Sequence, residues 1–273
     1  MRRPIAIWTG LVVVLLYLPV LCGALASLGQ SRYFKFPIAQ WSTVWWQRTL
    51  DSLEIGMLVR TSLAIAALVT VIAVLIGFFG ALAFARYDWR GRRLYQKLLL
   101  LPIFFPQPVL GLALLLWFSA LGLELSWKTA VVAHLVWIVP VVTLVISIQV
   151  YGFDASLEEA AADMGASRLV ILREVTLPLL WPGIWSGALF AFLLSWGNFP
   201  LSLYTTGADS TVPEWLYAKM VAGYTPMVPT LGTLATLGAA TALVLGGGIL
   251  AVLRQRRSAA TVADATDVVV STT

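Results

Sequence analysis

The chain has 273 residues, of which 60% are hydrophobic and 11% charged, with a mean hydropathy of +0.88 and a formal net charge of +5. Soluble domains carry about 25% charged residues, and a water-facing surface on a chain of this length needs far more charge than is present here. The apolar excess also excludes a disordered chain, so most of the protein is expected to be dissolved in lipid.

Six stretches contain no Asp, Glu, Lys or Arg: 4–31, 61–85, 98–123, 129–153, 175–208 and 220–253. A helix needs about 20 residues to cross about 30 Å of hydrocarbon. The runs are continuously apolar rather than alternating, which suits helices and not barrel strands. Taken in chain order, they predict an all-α membrane protein with six transmembrane helices over 5–27, 60–85, 98–121, 129–151, 183–206 and 228–253.

The first helix ends in Ala24-Leu25-Ala26, an A-x-A cleavage pattern. Its apolar run is longer than the core of a signal peptide, so a retained anchor is expected. Cys22, the single cysteine, reads as a small buried apolar residue. Residues 29–58 follow as an outer segment rich in aromatics (Tyr33, Phe34, Phe36, Trp41, Trp45 and Trp46), suited to interfacial anchoring or to docking an external partner. Loop 86–97 is short and basic. Pro102, Pro106 and Pro108, with Gln107 between them, should break or kink the inner half of the third helix. Loop 122–128 is a tight outer turn. After Leu253 the tail, 254–273, turns from basic to small and polar and is expected to be disordered.

Lys and Arg set the orientation. With both termini inside, the inner segments hold 12 of the 18 cationic residues, among them Arg86, Arg90, Arg92, Arg93, Lys97, Arg168 and Arg173. This bias and anionic lipid account for the net charge, and no nucleic-acid partner is implied.

The long inner loop, 152–182, holds the densest motif. Ser156 and Glu159 form an S-x-x-E capping box in the sequence, and acidic residues in the first turn suit the helix dipole. Gly165 can end this short helix in a left-handed conformation. A second short helix can start at Ser167 and run to Thr176, with Pro178 and Pro182 stopping it ahead of the fifth span. Ala160, Ala161 and Ala162 keep the first helix narrow, so that another protein could approach it closely.

Glu159-Ala160-Ala161, then Gly165, then Val175-x-Leu177-Pro178 resembles the signature loop of permease subunits of bacterial binding-protein-dependent ABC importers, with valine in place of isoleucine. The resemblance covers about 55–253. It implies a type I importer permease in the bacterial inner membrane, whose loop carries a coupling helix. Partners implied are a second permease, homologous or identical, two cytoplasmic ATPases and an extracytoplasmic solute-binding protein. ATPase-coupling residues would be Glu158, Glu159, Ala160, Ala161, Asp163, Gly165, Val175, Leu177 and Pro178, with Glu159 paired to an ATPase arginine. Chemistry read directly agrees with a separate ATPase: no glycine immediately precedes any of the four lysines, so the phosphate-cradling loop is missing. No cofactor is expected on this chain, and ATP and Mg would sit on the ATPase.

The solute path is expected to involve Ser195, Trp196 and Asn198, the only asparagine, together with His134 and Gln107. A membrane amide or imidazole must find a partner, so Asn198 and His134 can equally be packing residues. No His and Cys cluster suggests a metal site. Within the family the chain looks most like the second permease of spermidine/putrescine-type systems. Such members tend to carry acidic residues where this chain has Gly197 and Asn198, and a polycation wants carboxylates. The competing classes are an intramembrane enzyme and an ion-coupled secondary transporter. The first needs a paired nucleophile and base, the second intramembrane ionisable groups. One His, one Cys and no Asp or Glu in the charge-free runs argue against the first, and the motif loop argues against the second.

Overall fold

The computed structural model describes residues 2–33 and 37–248. The expected tail at 254–273, the last turn of the sixth helix, and Phe34 and Phe36 lie outside the described residues. Helices follow one another in the order α1 (Arg2–Ala26), α2 (Val44–Leu50), α3 (Leu53–Ala81), α4 (Arg92–Phe104), α5 (Gln107–Ala120), α6 (Trp127–Tyr151), α7 (Ser156–Asp163), α8 (Arg168–Val170), α9 (Leu177–Trp196), α10 (Pro200–Thr205) and α11 (Val212–Ala222). A last helix, α12, spans Met227–Gly248. No strand is present among the described residues; an isolated bridge joins Gly29 to Trp41.

Five helical runs are long and apolar enough to cross a membrane, and a sixth crossing results if α4 and α5 are counted together. The six predicted spans are therefore present, with changed boundaries. The second begins earlier, because Ser52 caps α3 by accepting from the Ile55 amide, and it continues through a π turn at Leu82–Arg86. At about 1.5 Å per residue the 34-residue run Leu53–Arg86 is longer than the hydrocarbon core is thick.

The third span is broken into two helices, one of the two outcomes the prolines suggest. α4 and α5 meet at 103° across Phe105 and Pro106. Proline at 106 and 108 cannot donate to the α4 ladder, so a new helix starts there. Pro102, by contrast, is accommodated inside α4.

The fifth span is also corrected. It is expected over 183–206, after a separate short helix, but the chain runs without interruption from Arg168 to Trp196. A π stretch, Ile171–Thr176, precedes Pro178; its wider turns let the chain pass a residue that has no amide proton. Helix geometry then stops at Gly197, and α10 restarts at Pro200.

The core sits where α3, α6 and α9 pack together. Ile65, Val69, Ala73, Ile138, Val142, Ile146, Leu180 and Ala191 are all essentially inaccessible. Close approach depends on small residues: a Cβ on Gly77 would meet Val142, and one on Gly187 would meet Ile146 and Val142. α1 stands apart, and no residue of Pro4–Ala26 is buried, Cys22 included. The expected burial of Cys22 is therefore not found within this chain.

Candidate functional site

Two sites were expected from the sequence: the loop after α6 and a polar group near the outer part of the fifth span. The structure places both groups of residues, and each differs in detail from its sequence reading.

α7 lies between the ends of α6 and the α8–α9 run. Its first turn is not closed by a Ser156–Glu159 box. Ala155 occupies the cap position, and the Asp154 carboxylate accepts from the Ser156 amide at 3.0 Å. That bond holds the Asp154 carboxyl below its usual range. Gly165 adopts φ +84° and turns the chain, and Ser167 caps the next helix by accepting from the Val170 amide.

The four acids crowded into 154–163 divide by direction. Asp154 caps the helix. Glu159 and Asp163 are exposed, as are Ala160 and Gly165, while Ala161 is buried beneath them. Exposed apolar groups flank them: Leu157, Leu169, Val170 and Met164, the last 83% exposed. Glu158, expected among the ATPase contacts, turns inward instead. Its Oε2 receives the Arg86 guanidinium at 2.5 Å from Nη2 and 3.2 Å from Nε, and its Oε1 accepts from the Thr176 hydroxyl at 2.5 Å. Val175, Leu177 and Pro178 are half-buried at the entry to α9. Neither Arg86 nor Thr176 stands out in the sequence motif, because nothing in its spacing says which of two adjacent glutamates faces the bundle.

Across the bundle, His134 of α6 is 1% exposed and lies between two serines. Nδ1 is 2.9 Å from Ser195 Oγ and Nε2 is 3.1 Å from Ser202 Oγ. Ser202 donates to the Asn198 carbonyl at 2.7 Å, and Asn198 Oδ1 accepts from the Leu201 amide at 3.0 Å, capping the restarted helix. His134, Ser195 and Asn198 are thus brought together, through a serine the sequence reading missed. The predicted span 183–206 would put Ser195 and Ser202, seven residues apart, on one helical face; in the structure they lie on α9 and α10, on either side of the break after Trp196.

Trp196 and Gln107 do not join this cluster. Trp196 stacks on Phe192, centroids 6.2 Å apart, and faces a cavity of about 460 Å³ that Arg60 also lines. Gln107 sits half-buried at the α4–α5 break.

Three acidic groups near the far end from α7 are engaged, while Asp51 and Glu124 there are exposed. Asp209 accepts from the Trp127 amide, Glu214 from Thr206 and Thr211, and Glu54 from the Trp215 indole. No grouping of three or more His, Cys, Asp or Glu suited to a metal exists among the described residues.

Comparison with known proteins agrees with this architecture. Residues 73–259 match the family described as binding-protein-dependent transport system inner membrane component. The chain is 30% identical over 220 residues to the spermidine/putrescine transport system permease protein PotC of Escherichia coli K12, covering 80% of this chain and 83% of that one. It is 32% identical over 227 residues to the putrescine transport system permease protein PotI of the same strain, covering 80% of each. Among solved structures, a bacterial ABC transporter importing the acidic polysaccharide alginate superposes with a TM-score of 0.69 at 15% identity, over 91% of this chain and 93% of that one. The MetNI methionine ABC transporter gives 0.60 at 19% identity, over 74% and 98%. These two likenesses concern the fold. The chain belongs to the inner membrane component family of binding-protein-dependent transport systems and is a non-catalytic permease subunit of an ABC importer.

Proposed function

We propose that this chain is one half of a permease pair that passes a polyamine-like solute inward and docks α7 on a cytoplasmic ATPase. The observation that carries the docking is the exposure of α7: Glu159, Asp163, Leu157 and Met164 form a face that no described residue of the chain covers. Carboxylates ringed by apolar groups suit a cleft with a basic wall. In this reading the permease core runs over about 55–253, the coupling loop over 152–182, and each of two ATPases holds its own ATP and Mg. The excess of Lys and Arg at the α7 end supports an orientation with that end and the N-terminus in the cytoplasm. A solute-binding protein then meets the opposite end.

Support for a polyamine comes from the names of the relatives. The chain's own contribution to binding a cation is limited. Asn198 has its oxygen occupied, and Glu54, Asp209 and Glu214 already hold hydrogen-bond donors. Of the other acids at that end, Asp51 and Glu124 are exposed, so carboxylates that recognise a polycation deeper in the path come from the second permease or the binding protein.

The test is reconstitution of the chain with its second permease, ATPase and binding protein in liposomes, followed by uptake of labelled putrescine. Uptake should require ATP, and an ion gradient alone should not drive it; the reverse result refutes the reading. Glu159→Arg should leave the chain in the membrane and reduce ATPase co-purification at least about tenfold, since losing one partner of a buried charge pair costs about 2–5 kcal/mol. Unchanged co-purification with normal uptake would refute the docking face.

A further inference from the structure

We infer that Glu158, Arg86 and Thr176 form a clasp that carries the motion of α7 into two membrane helices at once, making Arg86 and Glu158 positioning residues for coupling. This rests on α7 being the coupling helix. It adds a division of labour that the motif does not contain: Glu159 faces the motor, and its neighbour Glu158 faces the bundle.

The geometry is specific. One carboxylate bridges two elements far apart in sequence, with Oε2 on Arg86 at the end of the α3 run and Oε1 on Thr176 at the start of α9. The pair is mostly withdrawn from solvent, with side chains 17% and 18% exposed, and Thr176 is buried. Phe153 closes one side, its ring centroid 5.1 Å from the guanidinium carbon. An ion pair so placed is screened far less than a surface pair, and its directional bonds on both carboxylate oxygens fix α7 in position as well as in distance.

Both partners of Glu158 are the final residues of π turns, Leu82–Arg86 and Ile171–Thr176. Such turns recur at functional sites. Here each places a wider, less regular turn directly behind an anchor point, so each helix can adjust next to the clasp while its apolar core packing persists. A displacement of α7 therefore reaches α3 and α9 together, and these are two of the three helices that make the core.

The test uses the assembled transporter in nanodiscs with its cognate binding protein as the probe, reading how far that protein stimulates ATP hydrolysis. Glu158→Gln and Arg86→Met should each retain ATPase co-purification and basal hydrolysis. Stimulation should fall at least about fivefold, the lower end of ordinary coupling between sites. The swap Arg86→Glu with Glu158→Arg should regain at least half of the wild-type stimulation. Regain of function in the swap distinguishes a coupling role from simple misfolding, because both single variants and the swap alter the same positions. Full stimulation in both single variants overturns the clasp. So does loss of co-purification in Glu158→Gln, which would make Glu158 a docking contact, or a swap no better than the single variants. If Glu159→Arg leaves co-purification intact, the docking reading itself has failed, a result separate from these.

Discussion

Replacing His134 with leucine decides whether the buried cluster packs the bundle or meets solute. Ser202 uses its only proton on the Asn198 carbonyl, so the imidazole must donate from Nε2 to Ser202 and accept at Nδ1 from Ser195. Leucine keeps most of the volume and removes both bonds. Hydrogen bonds between membrane helices contribute about 0.6 kcal/mol on average and at most about 1.7, so two of them give about 1.2 kcal/mol. Ser195 need not stay unpaired. It can turn to the carbonyl four residues earlier, as Thr143 does to Val139 and Ser147 to Thr143, at 2.8 and 2.7 Å. Unfolding free energy measured by SDS titration should therefore drop by about 1–2 kcal/mol, with the uptake KM unchanged. A double-mutant cycle with Ser202→Ala should return a coupling near the membrane average. A KM raised at least about tenfold at unchanged unfolding free energy would refute this, since a tenfold change needs about 1.4 kcal/mol of solute contact instead.

Two further outcomes follow from local geometry. Gly207→Ala should cost about 2 kcal/mol or more, because φ is +63° and a Cβ there would overlap the Leu125 carbonyl oxygen; wild-type thermal stability of that variant would disprove it. The Asp154 carboxyl is held low by the Ser156 amide, so its cap is fully present above the ordinary carboxyl range and is lost as pH falls through the lowered value. Protection of the Ser156 amide, corrected for intrinsic exchange, should decline over that acidic window in the wild type and show no such decline in Asp154→Ala.

The membrane spans were legible because lipid demands uninterrupted apolar helices, and six charge-free runs leave little choice of architecture. The helix ends were harder to read. Pro106 and Pro108 break a helix while Pro19, Pro102, Pro140 and Pro182 lie within helices. Proline alone does not say which, since neighbouring helices can satisfy the backbone groups it frees. Ser156 and Glu159 have the spacing of a capping box, yet Asp154 reaches the amide first. Gly165 was readable from the turn it must make. The inward direction of Glu158 was not, because adjacent helical residues differ by about 100° and only tertiary packing chooses between them.

The two π turns have a consequence for how the protein tolerates deletion. Each accommodates one more residue than a regular turn, so removing one residue from 82–86 or from 171–176 would restore an ordinary α-helix. The span would still form and still be long enough for the bilayer. Because the wide turn absorbs the extra residue, side chains beyond the excision would keep nearly their present phase relative to those before it. A single-codon loss at either place thus removes the wide turn at the clasp alone, since the unbroken apolar helix and the rotational phase between the core face and the inner end both persist.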